Sequence, residues 1–268
     1  MSYDYSYDNN GNITEIKQNG KLTNKYVYDS LNELKEEYDY VNEFYINYSY
    51  DGAGNLQNKY EQVLDPTYGY PTGTQHGNTY EYTDTSWKDK LTKINGDNIT
   101  YDANGNPLTY RDGMSFEWEN GRILKNINTS DKAVQMSYDS NGMRTQKSVD
   151  GVKTNYYYDS NKNLIALVKG NDTLLFYYDS DGSATSFSYN GTMYFYVKNL
   201  QGDVIRIIDL AGTEVASYVY DAWGNIKDTK GEPTIREINP IRYRGYVYDT
   251  ETSLYYLQSR YYDPFTGR

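Results

Sequence analysis

Apolar and polar residues alternate along much of the chain, and the alternation repeatedly ends at a glycine-containing turn. Tyr3, Tyr5 and Tyr7 are separated by single polar residues, and the same period returns between Phe44 and Tyr50. This alternation places successive side chains on opposite faces of a β-strand. The pattern therefore predicts short strands joined by tight turns.

The clearest turn lies at residues 220–226, which read Tyr-Asp-Ala-Trp-Gly-Asn-Ile. Asp221 can accept a hydrogen bond from the backbone two residues on, and Gly224 can adopt the positive φ that closes such a turn. Asn225 tolerates the same left-handed conformation, and Ile226 begins the returning strand. The motif predicts a β-hairpin. Near-identical copies begin at Tyr7, Tyr50 and Tyr101, and looser copies begin at Tyr28, Tyr138, Tyr158, Tyr178, Tyr248 and Tyr262.

The copies recur at a nearly constant spacing. Tyr7, Tyr28 and Tyr50 are 21 and 22 residues apart, and the tyrosines at 138, 158 and 178 are 20 residues apart. A fixed period of this size indicates a repeat architecture, in which each unit buries its apolar face against its neighbours. The predicted fold class is all-β, built of repeated antiparallel β-hairpins.

Two stretches depart from the repeat. In residues 31–44, Leu31, Leu34, Tyr38 and Val41 follow a helical spacing, so a helix is the alternative there to the strands that the flanking motifs favour. Residues 62–79 contain prolines, glycines and the single histidine, His76, and are predicted to form a loop inserted between repeats.

Composition narrows the class of protein. The 268 residues include 35 tyrosines and 22 glycines, and tyrosine suits strands whose rings are half buried and whose hydroxyls reach a partner. There are no cysteines, which excludes disulfides and thiolate metal sites. The net charge of −11 argues against nucleic acid as the main partner. No apolar run approaches the ~20 residues needed to span a bilayer, so membrane insertion is not expected.

No catalytic, cofactor-binding or metal-binding residues are predicted. His76 has no nearby ligand partners and is interpreted as a solvated loop residue. The Asp179-Ser-Asp-Gly stretch resembles the start of a calcium loop, but the later ligands are missing and turn formation explains it better. Arg242, Arg244 and Arg260 form a basic cluster among tyrosines. Arginine stacked on tyrosine would be a structural lock, and an anionic-ligand site is the alternative.

The last part of the chain resembles a known family. Residues 194–226, the stretch Asn-Pro-Ile-Arg-Tyr-Arg-Gly-Tyr-Val-Tyr-Asp at 239–249, and residues 254–268 are similar to the RHS-repeat-associated core of YD-repeat proteins. The upstream turns resemble ordinary YD repeats. The resemblance divides the chain into YD-repeat hairpins at 1–193 and an RHS core at 194–268, continuous with the same sheet. It implies a spiralling sheet that forms part of a hollow shell.

The resemblance also implies a function. Bacterial members enclose a C-terminal toxin, which is released by self-cleavage at aspartates downstream of the final Asp-Pro-x-x-Gly-Arg. This chain stops at Arg268 and carries neither those aspartates nor a toxin. The expected function is that of a non-catalytic shell segment of a secreted or cell-surface bacterial toxin, whose partner is the C-terminal toxin domain. The alternative is a surface adhesin that binds cell-wall carbohydrate through its tyrosines.

Self-association is a further expectation. A repeat sheet cut from a shell exposes unpaired strand edges that can pair with another chain. Tyr3 to Tyr7 at one end, and the aromatic strand from Tyr255 to Tyr262 at the other, are predicted to form such bare edges.

Overall fold

Hairpins form between strands that are consecutive in the chain, and the strand pairs described are all antiparallel. The computed structural model describes residues 2–268, which divide into a first unit that ends at Thr100 and a second unit, Tyr101–Arg268. The predicted all-β fold of repeated antiparallel hairpins is confirmed. Among these residues, no helix is long and apolar enough to cross a lipid bilayer.

The first unit is a nine-stranded sheet in sequence order. Its strands are β1 (Tyr3–Tyr7), β2 (Ile13–Gln18), β3 (Lys21–Tyr28), β4 (Leu34–Asp39), β5 (Phe44–Tyr50), β6 (Leu56–Leu64), β7 (Pro71–Glu81), β8 (Lys93–Ile94) and β9 (Asp97–Asn98).

The helical alternative for residues 31–44 is wrong, because this stretch contains β4 and the turns on either side of it. β4 pairs with β3 on one side and β5 on the other. Its buried positions include Glu37, whose carboxylate accepts a hydrogen bond from the hydroxyl of Tyr48 at 2.8 Å. The strand that the flanking motifs favoured is confirmed, and the buried glutamate explains why the apolar alternation was weak enough for a helical spacing to compete with it.

The predicted loop at 62–79 is also wrong. β6 continues to Leu64 and β7 begins at Pro71, so the two form the longest hairpin of the unit and the turn is confined to residues 65–70. Pro71 is tolerated because it is the first residue of its strand. The prolines marked the tip of a hairpin rather than an insertion.

The second unit contains a twelve-stranded sheet, a short helix and a three-stranded sheet. The large sheet comprises β10 (Ser115–Glu119), β11 (Ile123–Asn128), β12 (Ala133–Tyr138), β13 (Arg144–Val149), β14 (Val152–Tyr158), β15 (Leu164–Lys169), β16 (Asp172–Tyr178), β17 (Ala184–Tyr189), β18 (Thr192–Lys198), β19 (Val204–Ile208), β20 (Glu214–Tyr220) and β21 (Ile226–Gly231). The remaining elements are α1 (Pro233–Ile238), β22 (Val247–Asp249), β23 (Leu254–Tyr256) and β24 (Tyr261–Tyr262).

The boundary predicted between residues 193 and 194 falls within β18. That division therefore stays a prediction about sequence families, and the sheet runs through it from β10 to β21.

In most Tyr-Asp turns the aspartate side chain closes the turn, whereas the side chain of Asp249 bonds to Arg144 and Lys147 instead. At Asp221, Oδ1 accepts the backbone N–H groups of Trp223 at 3.0 Å and Asn225 at 2.9 Å, and Oδ2 accepts the side-chain amide of Asn225 at 2.9 Å. The N–H of Gly224 donates to the carbonyl of Asp221 at 3.0 Å. Asp8, Asp51, Asp102 and Asp159 hold equivalent bonds.

Two of the turn aspartates, Asp8 and Asp159, are expected to make the fold sensitive to acid. The backbone of Asn163, together with its side chain, holds the pKa of Asp159 below the ordinary value of 3.8, and the side chain and backbone of Asn12 do the same for Asp8. A lowered folded-state pKa contributes stability that is fully present above the unfolded pKa and is lost as the pH falls through the folded pKa. Urea unfolding at a series of pH values should therefore show a stability plateau at neutral pH that declines below about pH 4.

The control is Asn163→Ala, which removes one of the bonds and should raise the pKa of Asp159 part of the way to its ordinary value, as measured by carbon-detected NMR titration. An Asp159 carboxyl that titrates at or above 3.8 in the folded protein would contradict the turn geometry.

Candidate functional site: the seat of the C-terminal segment

Residues 233–268, here named the C-terminal segment, fold back onto one face of the twelve-stranded sheet. Ile235 and Ile241 are buried in a core with sheet residues such as Phe187 and Ile207. Leu254 packs into a second core that contains Phe116. The segment therefore covers the apolar face that the alternating strands create.

The final strands are not bare, which corrects the prediction of an open aromatic edge from Tyr255 to Tyr262. Tyr255 is 0% exposed and Tyr256 is 3% exposed. The hydroxyl of Tyr255 donates to the carbonyl of Gly224 at 2.9 Å, and that of Tyr262 donates to the carbonyl of Trp223 at 2.8 Å. The last tyrosines thus bind the turn that best represents the repeat motif.

Arg144 lies at the start of β13. Within residues 2–268, it is the largest side chain that is fully buried. Its two terminal nitrogens donate to the two carboxylate oxygens of Asp249 at 2.5 and 3.0 Å. Lys147 donates to the same carboxylate at 2.6 Å and forms an ion pair with Glu251 at 2.5 Å. Two cations on the sheet therefore meet two anions on the C-terminal segment, and the cluster is close to neutral.

Aromatic rings enclose this cluster. The guanidinium of Arg144 lies 4.6 Å from the ring centre of Tyr156 on the sheet and 4.4 Å from that of Tyr256 on the C-terminal segment. The backbone N–H of Arg144 also donates to the hydroxyl of Tyr256 at 2.8 Å. Planar stacking and bidentate pairing are the interactions in which arginine differs most from lysine.

Arg144, Lys147 and Asp249 stay ionised. Burial alone would raise the pKa of Asp249, but Arg144 and Lys147 outweigh it and hold that pKa below its ordinary value. Burial likewise acts to lower the pKa of Lys147, yet the neighbouring Asp249 raises it overall. Groups charged throughout the physiological range are suited to holding two elements together rather than to exchanging protons.

A second lock holds the last six residues. Arg111 donates to both carboxylate oxygens of Asp263 at 2.8 and 3.0 Å, and its guanidinium lies 4.9 Å from the ring centre of Phe265. The hydroxyls of Tyr110 and Thr266 are 2.9 Å apart and hydrogen-bonded. The segment's end is therefore fixed to the strand-connecting turn that precedes β10.

The predicted arginine cluster is only partly assembled. Arg242 is buried between the rings of Tyr218, at 4.9 Å, and Tyr248, at 4.6 Å, which confirms an arginine–tyrosine lock. Arg244 is exposed but lies 5.2 Å from the ring centre of Tyr243, and Arg260 is exposed.

The sequence reasoning missed Arg144, Asp249, Arg111 and Asp263. A signal for the first was present: Arg144 stands five residues after Asp139, where other copies of the motif carry an apolar residue such as Leu164 or Ile226.

The motif tyrosines form a row of hydrogen bonds along one rim of the sheet. Each tyrosine hydroxyl of the row donates to a backbone carbonyl at the first or second residue of a strand, as in Tyr178 to Leu164 at 2.9 Å and Tyr220 to Val204 at 2.8 Å. Burial raises the pKa of Tyr178 to about 12, so the hydroxyl keeps its proton and remains a donor. The members of this rim row are Trp118, Tyr138, Tyr158, Tyr178, Lys198 and Tyr220.

Comparisons with known proteins agree with this architecture. A family model described as the teneurin YD-shell matches residues 42–268. The tRNA3(Ser)-specific nuclease WapA of Bacillus spizizenii is 36% identical over 249 residues, which cover 90% of this chain and 10% of that protein. The double-stranded DNA deaminase toxin A of Burkholderia cenocepacia is 23% identical over 301 residues, covering 98% of this chain and 20% of that protein.

Among solved structures, the crystal structure of TcdB2-TccC3-Cdc42 superposes with a TM-score of 0.77 at 18% identity, over 99% of this chain and 15% of that chain. At this identity the likeness shows the fold alone. The chain spans between a tenth and a fifth of the length of these curated relatives. With a family model that matches most of its residues, the chain belongs to the teneurin YD-shell family and is a YD-shell segment of the RHS type.

Proposed function

We propose that this chain is a non-catalytic part of a shell wall that encloses a C-terminal toxin domain of the full-length protein. The observation that carries the proposal is the seat of the C-terminal segment, in which two buried arginine–aspartate pairs fix the segment: Arg144–Asp249 to the sheet and Arg111–Asp263 to the turn before β10. Buried ion pairs of this kind oppose detachment of the segment, as a wall that stays closed requires. Two relatives, named as a nuclease and a deaminase toxin, support the proposal that the chain is one part of a larger toxin, because it corresponds to only a small share of each.

Delivery to other cells requires that the full-length protein leave its producer. We therefore place the protein outside the bacterial cell, secreted or held at the cell surface.

Protease protection in the full-length gene product tests the enclosure. A domain inside a closed wall should survive limited trypsin digestion that degrades the same domain expressed alone. Asp249→Asn in the full-length protein should make the enclosed domain susceptible, whereas the surface change Asp228→Asn should not. Equal digestion of the enclosed and the isolated domain would overturn the proposal.

The second candidate function, carbohydrate binding, is supported by one observation. Tyr68 and Tyr70 at the tip of the β6–β7 hairpin are 71% and 52% exposed, and their rings stack at 5.8 Å. Exposed aromatic rings can stack on the apolar faces of sugars. Saturable binding on a glycan array that is lost in Tyr68→Ala would favour an adhesin over a shell.

Self-association through a sheet edge also remains a proposal. Residues 71–72 and 76–79 of β7 pair with β6 on one side, whereas on the other side β8 pairs with β7 only at Tyr80 and Glu81, and Asn95 bonds to the backbone of Thr79. An unpaired edge of this length can accept a strand from a second copy. Light scattering over a concentration series should detect association that Gln75→Lys weakens, and a strict monomer at the highest concentration would contradict it.

A further inference from the structure

Lys198 occupies a position that belongs to an aromatic residue. It is the only member of the rim row that is not tyrosine or tryptophan, and it lies between Tyr178 and Tyr220 in that row. The ammonium group donates to the hydroxyl of Ser183. Ser183 immediately precedes Ala184, the first residue of β17, whose carbonyl a tyrosine at this position would be expected to reach. A charged group thus occupies the position where the other members of the row have an aromatic side chain.

The turn that follows Lys198 has its acid and its amide exchanged. Asn199 stands where other copies have aspartate, and its Oδ1 accepts the N–H groups of Gln201 at 3.0 Å and Asp203 at 2.9 Å. The carboxylate has moved to Asp203, where it accepts the backbone N–H of Arg244 at 2.8 Å. The acid nearest to Lys198 in sequence is therefore engaged elsewhere.

Lys198 consequently has a neutral partner. Within residues 2–268, no carboxylate forms an ion pair with it, and Asp179 attracts it only from a distance. Lys147, which is also buried in this sheet, contacts two carboxylates, those of Asp249 and Glu251. The two lysines therefore sit in opposite electrostatic settings.

The setting determines the protonation of the amine. Desolvation beside the tyrosine row lowers the pKa of Lys198 below 10.5, and the attraction of Asp179 only partly offsets it. The unprotonated amine is the nucleophilic form, and partial burial without a counter-charge is a known way to generate it.

We propose that Lys198 is an acylation site of this protein, which reacts with activated acyl donors such as thioesters or anhydrides. The free amine attacks the carbonyl carbon, and an amide bond forms as the bond to the thiolate or carboxylate leaving group breaks. The amine proton passes to solvent. Lys198 remains half-buried rather than enclosed, so a small donor can reach it.

Trace labelling of the whole chain with acetic anhydride tests the proposal. The reference is Lys230, whose side chain is 70% exposed. Because a lower pKa leaves more free amine at neutral pH, Lys198 is expected to react faster than Lys230 there. Its rate should also reach half its maximum at a lower pH. Mass spectrometry of the labelled peptides gives both quantities, and failure of either overturns the proposal.

Two variants separate the local setting from the general charge of the protein. Ser183→Asp places a carboxylate against the ammonium and should shift the half-maximal rate of Lys198 to higher pH and slow labelling at neutral pH. Thr213→Asp adds the same charge at the equivalent position of the Asp209 turn and should leave Lys198 unchanged. Equal effects of the two would overturn the role of the Ser183 contact. Lys198→Tyr restores the row and should remove the fast-reacting site while the fold, monitored by circular dichroism, is retained.

Discussion

Replacing Asp249 with asparagine is expected to lower the free energy of unfolding by about 3–5 kcal/mol, because it leaves Arg144 and Lys147 buried without their shared counter-charge. The substitution keeps the size of the side chain, so the loss reports on charge rather than on a cavity. Asp249 is 2% exposed, is the last residue of β22 and accepts hydrogen bonds from Arg144 and Lys147 of the twelve-stranded sheet. Urea unfolding followed by tryptophan fluorescence measures the change, and hydrogen exchange should show faster opening of residues 247–263.

The matched control is Asp228→Asn. Asp228 pairs with Lys230 at 3.3 Å on the surface, where the side chains are 46% and 70% exposed. Exposed pairs of this kind contribute at most about 1 kcal/mol. If the two asparagine variants lose similar stability, the buried cluster does not hold the C-terminal segment as the structure indicates.

Replacing Gly224 with alanine is expected to destabilise the protein by several kcal/mol. Gly224 has φ of +91°, and a Cβ there would lie 2.5 Å from the ring of Tyr243. The left-handed conformation costs about 1–2 kcal/mol for an ordinary residue, and forcing an extra carbon into a packed site adds about 1–3 kcal/mol. The same urea unfolding experiment measures the sum.

Gly212→Ala separates the two contributions. Gly212 closes the turn after Asp209 with φ of +81°, and a Cβ there would meet nothing within 4 Å. It should therefore lose only the conformational part, about 1–2 kcal/mol. Equal losses at the two glycines would show that Tyr243 yields to the added carbon and that its packing on the turn matters little.

The hairpins could be predicted from the sequence because the signals that form them are local. The alternation of Phe44 to Tyr50 places side chains on two faces, and the Asp221 turn contains its own donors and acceptors within five residues. Several copies repeat these bonds with the same residue types, so the turn recognised at one position predicts the turns at the others.

The buried ion pairs could not be predicted in the same way. Arg144 is unusual within its repeat, but its partner is 105 residues away in the chain, and Arg111 is 152 residues from Asp263. Nothing local in sequence identifies which of many aspartates each arginine meets. Buried polar residues could not be predicted either. The sequence alone suggests that Glu37 is a surface residue, because its hydrogen-bond partner, Tyr48, lies on another strand.

The long separations of these pairs bear on the order of folding. Each hairpin joins strands that are adjacent in the chain, so its loop closes at small entropic cost and can form while synthesis continues. Arg144 and Arg111 must wait, hydrated, until the residues that neutralise them have been made. We therefore expect folding to end in one late step, in which the C-terminal segment docks and both arginines lose their water together.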